Sequence, residues 1–129
     1  MNRLVIGLGF RDEADAQSIG EVLAAAHAAM PGRTTVLAVP EDKAAHPGLR
    51  AAAHAARLPI EAVAANAMRA ADARGATRSA QVTKHRGVGS VCEAAALAAA
   101  GAGARLVVSR IVSADRHATA AAAIKDIAP

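Results

Sequence analysis

The chain has 129 residues, the usual size of one domain, and with 39 alanines and 1% aromatic residues its core is expected to consist of alanine and aliphatic side chains. The single cysteine excludes an internal disulfide, no apolar run is long enough to cross a membrane and no signal peptide is visible, so a cytoplasmic location is expected. The net charge of +4 comes mainly from arginine and favours a small polyanionic ligand, whereas nucleic acid is not expected as a partner because aromatic side chains for base stacking are lacking.

The first predicted elements are two strands separated by an amphipathic helix. Residues 3–9 form an apolar run that ends in glycine and is typical of a buried strand. Acidic residues then crowd the predicted start of a helix, where they interact favourably with its positive end. The inward face of this helix is expected to carry Ile19, Val22, Leu23, Ala26 and Met30. Pro31-Gly32 ends the helix, and residues 34–39 predict the second strand.

The middle of the chain predicts a loop, two more helices and an edge strand. Residues 41–47 are polar and are expected to form the loop. Residues 48–57 predict a helix whose inward face carries Leu49, Ala52, Ala53 and Ala56. The third strand begins at Leu58-Pro59-Ile60, and its proline favours an edge position. Residues 62–73 predict a short helix, which a turn at 75–79 follows.

The last third of the chain contains a strong helix-start signal. Residues 81–86 are basic and extended, and Gly87-Val88-Gly89 leads into a helix that reaches about residue 100. Ser90 and Glu93 have the spacing of a capping box. Residues 105–112 predict a strand, whereas local propensity favours a helix over the alanine-rich residues 119–124. The alternation of strands and helices predicts an α/β domain with helices on both faces of a sheet.

Glycines at positions 7 and 9 end the first strand. A dinucleotide-binding fingerprint requires a third glycine three residues after the second, and Asp12 occupies that position, where its charge would repel a pyrophosphate. The pair is therefore interpreted as a tight turn that needs residues without Cβ. Arg11 follows at the carboxyl end of the strand, where α/β folds bind ligands, and is either a solvated or a ligand-binding side chain.

The segment from Lys84 to Ser90 is the strongest candidate for a binding site. Basic side chains lead through a glycine loop to a helix start, whose free N–H groups attract a carboxylate or phosphate. The alternative is an ordinary cap, in which Ser90 bonds only its own helix. Cys92 is interpreted as a small buried residue, although a helix start can lower the pKa of a thiol. The five histidines show no metal spacing, and no cofactor is expected.

Four motifs of the chain occur in an order known from one family. The segment from Lys84 to Leu97 resembles the sequence V-G-x-G-S-V-A-E-A-A-A-L, and residues 4–11 resemble an opening G-x-G-C-R. Asp42-Lys43 with Pro47-Gly48-Leu49 resembles D-x-K…P-G-L, and residues 115–122 resemble a closing A-T-x-A-I-A. By these motifs the chain resembles the CobE/CbiG C-terminal domain family of cobalamin biosynthesis, in particular its free-standing members.

The resemblance implies a fold and a pathway. It implies a three-layer α/β/α sandwich around a mixed sheet, with the tail as a strand instead of a helix. It also implies a role in the aerobic corrin pathway, either acting on or holding a tetrapyrrole intermediate. Phe10 and Asp12 depart from the family pattern, which has Cys and Gly there, so no role of that cysteine applies to this chain.

Residues and resemblance together predict a cleft at the carboxyl ends of the strands that binds a precorrin or corrin through its carboxylates. The expected substrate-binding residues are Gly9, Arg11, Lys43, Lys84, Gly87, Val88, Gly89, Ser90 and Glu93. No set of catalytic residues can be recognised in the sequence, which favours ligand binding over catalysis. Two alternatives remain open: an enzyme acting on the corrin ring, such as a lactone hydrolase, and an interaction module for other cobalamin-pathway enzymes. The alanine-rich helix faces are also compatible with a homodimer.

Overall fold

The computed structural model describes residues 2–30, 32–34, 36–72 and 90–126 of the chain. Within these residues it contains five strands, four α-helices and one short 3-10 helix. The strands are β1 (Asn2–Phe10), β2 (Val36–Pro40), β3 (Ile60–Val63), β4 (Arg105–Val112) and β5 (Ala118–Asp126). The α-helices are α1 (Ala16–Ala29), α2 (Pro47–Ala56), α3 (Ala65–Asp72) and α4 (Val91–Ala100).

The five strands form one mixed sheet in the order β3-β2-β1-β5-β4. β1, β2 and β3 are parallel, whereas β5 runs antiparallel to both of its neighbours, β1 and β4. The carboxyl ends of β1 to β4 and the start of β5 therefore meet at one edge of the sheet. The prediction of an α/β fold with a mixed sheet is confirmed. The prediction that β3 is an outermost strand of the sheet is also confirmed.

One face of the sheet packs against α1 and α2 through large aliphatic side chains. Leu4, Ile6 and Leu8 alternate along β1 and point to this face, as the two-residue period of a strand requires. The predicted inward face of α1 is confirmed, since its four helical residues and Met30, the C-cap that follows the helix, belong to this buried cluster. On α2 the predicted Ala56 is exposed instead, because the helix ends there.

The opposite face packs against α3 and α4, and α4 contributes mainly alanine. Ala94, Ala95 and Ala96 are buried there together with Leu97. This helix lies so close to β1 that a Cβ atom on Gly7 would stand 2.0 Å from the Cys92 carbonyl oxygen and 2.6 Å from the Ala96 nitrogen. Gly7 lies inside strand β1 and is needed there because helix α4 packs directly against it. The tight turn that the sequence predicted at this glycine is not the reason for it.

The alanine-rich tail is the main place where local propensity fails. Ala118–Asp126 form strand β5, so the helix that propensity favoured is wrong and the strand that the family resemblance implied is confirmed. β5 lies between two strands and under helices on both faces, and alanine is small enough to fit in both layers. Packing has therefore overridden helix propensity.

Smaller differences concern the connections between elements. Residues 41–43 form a 3-10 helix instead of an open loop. The helix predicted over 62–73 begins only at Ala65, because strand β3 continues to Val63. The turn predicted at 75–79 and the extended segment at 81–86 lie outside the described residues.

Candidate functional site

A cleft of about 180 Å³ opens at the edge of the sheet where the strands end. β1 and β2 contribute their last residues, β4 and β5 contribute Arg110 and Thr119, and α4 contributes its first residue. The lining consists of Gly9, Phe10, Arg11, Pro40, Lys43, Val91, Arg110, Arg116, His117 and Thr119. The structure thus brings together three of the predicted site residues, Gly9, Arg11 and Lys43.

Gly9 allows the elements around the cleft to approach β1. A Cβ atom at this position would lie 2.9 Å from Thr119 Oγ1 and 3.3 Å from Val91 Cγ1. The Thr119 hydroxyl donates a hydrogen bond of 3.2 Å to the Gly9 carbonyl oxygen. Gly9 therefore joins β1, β5 and the start of α4 at the base of the cleft.

The first wall of the cleft carries the predicted cations Arg11 and Lys43, and each stands near an acid. Lys43 Nζ donates to the Asp12 carboxylate, and this contact lowers the pKa of Asp12. Arg11 Nη1 lies 3.8 Å from Glu13 Oε1. The Lys43 side chain is 14% exposed, whereas that of Asp12 is 90% exposed, so the pair reaches from the cleft to solvent.

The second wall carries Arg110, Arg116 and His117, which the sequence analysis did not select. Arg110 lies near the carboxyl end of β4, and Arg116 and His117 belong to the turn between β4 and β5. A backbone hydrogen bond of 2.9 Å from Arg11 N–H to the His117 carbonyl joins the two walls. The position of Arg110 near a strand end was the available signal, but only the strand order places that end on the same side of the sheet as the end of β1, with β5 between the two strands.

Asp115 organises the turn of the second wall. Its carboxylate accepts hydrogen bonds from the Ser113 hydroxyl at 2.6 Å and from the His117 N–H at 3.0 Å. It also accepts one from the hydroxyl of Ser18 on α1. These donors hold the pKa of Asp115 well below its ordinary value. A further bond of 3.0 Å, from Ala114 N–H to Glu21, fixes the turn to the same helix.

The predicted capping box is wrong. Ser90 is the N-cap residue of α4, but its side chain makes no capping hydrogen bond and lies 3.6 Å from Cys92 Sγ. Glu93 is fully buried, and its Oε2 accepts a hydrogen bond of 3.2 Å from the Arg110 N–H on β4. Neither residue lines the cleft. Lys84, Gly87, Val88 and Gly89 lie outside the described residues.

Cys92 lies in the first turn of α4, and its thiol is buried. Burial raises its pKa, and this effect outweighs its hydrogen bonds with Ser90 and Thr119. The thiol is therefore held in its neutral form, which matches the interpretation of Cys92 as a small buried residue.

A second cavity, of about 330 Å³, lies beyond Pro40 between the ends of β2 and β3 and helix α3. It contains Glu41, Asp42 and Arg69 together with the buried side chains of Val63 and Met68. With two acids to one cation, it is less suited to anions than the first cleft. In the part of the chain that the structure describes, no group of His, Cys, Asp and Glu side chains is arranged as a metal site.

Similarity to known proteins covers nearly the whole chain. Residues 4–123 match the family described as Cobalamin synthesis G C-terminus. The chain belongs to this family. The protein CobE from the cobalamin (vitamin B12) biosynthetic pathway has a crystal structure with a TM-score of 0.84 and 28% identity, which covers 99% of this chain and 94% of that chain.

A second solved structure is similar over a slightly shorter part of the chain. It is the cobalamin biosynthesis protein chiG from Agrobacterium tumefaciens str. C58, with 40% identity and a TM-score of 0.71, covering 93% of this chain and 96% of that chain. No curated protein matches the chain. These findings confirm the family that the sequence motifs indicated and make this chain a cobalamin biosynthesis protein. None of the helices in the described ranges has the length and hydrophobicity needed to span a bilayer.

The two departures from the cobalamin family pattern both contact one histidine beside the cleft. The Phe10 ring meets the His46 ring edge-on at 4.8 Å, and Lys43 Nζ lies 5.6 Å from the Phe10 ring centre. His46 Nδ1 accepts from the N–H groups of Gly48 and Leu49, so His46 Nε2 donates to the Asp12 carbonyl at 2.8 Å. The structure therefore gives the Phe10 side chain a packing role against His46, whereas Asp12 contacts the same histidine only through its backbone carbonyl.

Proposed function

We propose that this cobalamin biosynthesis protein binds a tetrapyrrole intermediate, a precorrin or corrin, through its carboxylate arms. The observation that carries the proposal is the convergence of Arg11, Lys43, Arg110, Arg116 and His117 on one cleft. They come from the β1–α1 turn, the 3-10 helix, β4 and the β4–β5 turn. The three arginines and Lys43, gathered from separate segments, create a local positive potential, which attracts a polyanion and raises its rate of association.

The chemistry of the ligand fits the lining of the cleft. Precorrins and corrins carry acetate and propionate arms, and each charge-assisted hydrogen bond to such a carboxylate contributes about 1.5–3 kcal/mol. Phe10, Pro40 and Val91 add apolar surface for the edge of the macrocycle. The cleft volume of about 180 Å³ is smaller than the roughly 300–1,000 Å³ that encloses a drug-sized ligand. The described residues are therefore suited to hold the arms at one edge of the ring.

The contacts within the cleft favour binding over catalysis. Thr119 uses its hydroxyl hydrogen on the Gly9 carbonyl, and His117 Nδ1 lies 3.7 Å from Asp115 Oδ2, too far for a hydrogen bond. A nucleophile activated by a base requires the two groups within hydrogen-bond reach. We therefore assign the cleft a carrier or binding role, with a lactone hydrolase as the alternative outcome of the test.

A visible-absorbance titration tests the proposal. The purified protein is titrated with a corrin whose arms are free acids and, as a matched control, with the same corrin fully methyl-esterified. We expect the free acid to bind and the ester to bind much more weakly, and the affinity for the free acid to fall as salt is raised. Equal binding of acid and ester, or no binding of either, would refute the proposal. If the corrin recovered after the titration had a changed mass, the protein would be identified as the alternative, a hydrolase.

A further inference from the structure

The cations of the cleft differ in whether an acid already neutralises them. Lys43 pairs with Asp12, and Arg11 lies 3.8 Å from Glu13. Among the residues that the structure describes, no acidic side chain forms an ion pair with Arg110 or Arg116. The positive charge that is available to a ligand is therefore concentrated on the second wall.

The position of Arg110 is fixed from its backbone. Its N–H donates to Glu93 Oε2 at 3.2 Å, and Glu93 itself is fully buried in α4. The pairing of β4 with β5 is irregular between Val108 and Ile111, so Arg110 lies at a bulge. Bulges redirect a side chain out of the regular strand pattern. Arg110 accordingly lines the cleft from a half-buried position.

The position of Arg116 is fixed by the turn that carries it. The backbone of Arg116 has a φ of +65°, which is the left-handed conformation. A residue other than glycine adopts this conformation only where its surroundings enforce it. Here the enforcing contacts are the hydrogen bonds that Asp115 accepts from Ser113, His117 and Ser18. Since Ser18 belongs to α1, the backbone of the turn is held by the body of the domain before any ligand arrives, so that binding has to order only the exposed Arg116 side chain.

We propose that Arg110 and Arg116 are the principal carboxylate-binding residues of the cleft and that Arg11 and Lys43 contribute less. A ligand carboxylate that binds Lys43 must compete with Asp12, whereas one that binds Arg110 or Arg116 displaces no acid. The planar guanidinium can also form two parallel hydrogen bonds with one carboxylate. This inference rests on the proposed function, because it names the residues that recognise the arms of the tetrapyrrole.

Charge-removing variants test the ranking of the cations. The free-acid corrin is titrated into Arg110→Gln, Arg116→Gln, Arg11→Gln and Lys43→Gln. We expect each of the first two to lose about tenfold or more in affinity, as for a charge-assisted hydrogen bond. We expect each of the last two to lose about fivefold or less, because an acidic side chain already stands beside each of these cations. Arg50→Gln on the exposed face of α2 removes the same charge away from the cleft and is the matched control.

Two further measurements separate recognition from folding. Melting temperatures show whether a variant has lost its structure, and Arg110→Lys and Arg116→Lys, which keep the charge, are expected to recover part of the affinity. A loss at Arg11→Gln or Lys43→Gln equal to or larger than that at the second wall would overturn the ranking while leaving tetrapyrrole binding intact.

A small probe distinguishes failure of this inference from failure of the proposed function. Propane-1,2,3-tricarboxylate is added to protein with ¹⁵N-labelled arginine, and the Nε–H resonances are followed. Shifts confined to Arg110 and Arg116, without binding of the corrin, would support the arginine pair and refute the tetrapyrrole. Shifts centred on Arg11 would refute the ranking, and the absence of both shifts and corrin binding would refute both proposals.

Discussion

The two faces of the sheet are packed with side chains of very different size. On the α1 and α2 face, Leu, Ile, Val and Met residues fill the space between helix and strand. On the α4 face, a run of alanines packs against Gly7, and the helix backbone itself meets β1. One face is therefore held by the burial of large side chains, and the other by the close approach of two backbones.

The difference affects the cleft, because each face positions one part of it. The close approach of α4 brings Val91 to the base of the cleft beside Gly9. The aliphatic face holds α1, whose Ser18 and Glu21 anchor the turn that carries Arg116. The small-residue face thus sets the depth of the cleft, and the large-residue face sets its outer wall.

The largest expected effect comes from adding one carbon to the alanine face. In Gly7→Ala the new Cβ would overlap the Cys92 carbonyl oxygen, and a backbone atom of a packed helix cannot rotate away. We expect this variant to lose about 3 kcal/mol or more of unfolding free energy, at the upper end of overpacking costs. Chemical denaturation monitored by circular dichroism measures this loss.

The matched control is the same substitution on α1. Gly20 has no atom within 4 Å of an added Cβ and lies inside a helix, so Gly20→Ala is expected to stabilise the protein by about 0.5–1 kcal/mol. If Gly7→Ala proved as stable as Gly20→Ala, the backbone contact described for α4 would be incorrect.

A smaller effect is expected when each face is changed by methyl groups. Ala96→Val adds two methyl groups where there is no room, and we expect a loss of about 1–3 kcal/mol. Ile19→Val removes one methylene from the aliphatic face and should cost about 0.5–1.5 kcal/mol. Both residues are fully buried, so thermal denaturation of the two variants compares the faces directly. A gain in stability from Ala96→Val would show that the alanine face contains unfilled space.

The smallest effect concerns the anchor between α1 and the cleft and depends on pH. The pKa of Asp115 is lowered in the folded protein, so its contribution to stability is present above the pKa of the unfolded state, about 3.9, and is lost as the pH falls below it. We expect Asp115→Asn to be less stable than the wild type at pH 7 and to approach it as the pH is lowered. Denaturation at several pH values measures this, and a constant difference across the acid range would contradict it.

The sequence predicts the aliphatic face better than the alanine face. Ile19, Val22 and Leu23 repeat at helical spacing, so the inward face of α1 follows from the pattern alone. The alanines of β5 have no such preference, because alanine fits a buried strand as well as a helix and only its neighbours decide. The partner of Glu93 was equally hidden, since the Arg110 N–H lies 17 residues away on another element.

The candidate site shows the same division. Arg11 and Lys43 follow strands whose ends are visible in the sequence, and both line the cleft, although their role in ligand binding stays a prediction. The positions of Arg110 and Arg116 at the cleft depend on the insertion of β5 between β1 and β4, and no local sequence pattern specifies that insertion. Their identification required the strand order, because residues distant along the chain share one edge of the sheet.

The central position of β5 has a consequence for how the protein matures. Gly9 and Thr119, which are joined by a hydrogen bond, are 110 positions apart, so most of the polypeptide must be synthesised before they can meet. Until then β1 has one open edge, which is a surface prone to wrong pairing. Long-range contacts of this kind slow folding, and the nascent protein is therefore expected to form its cleft in one late step.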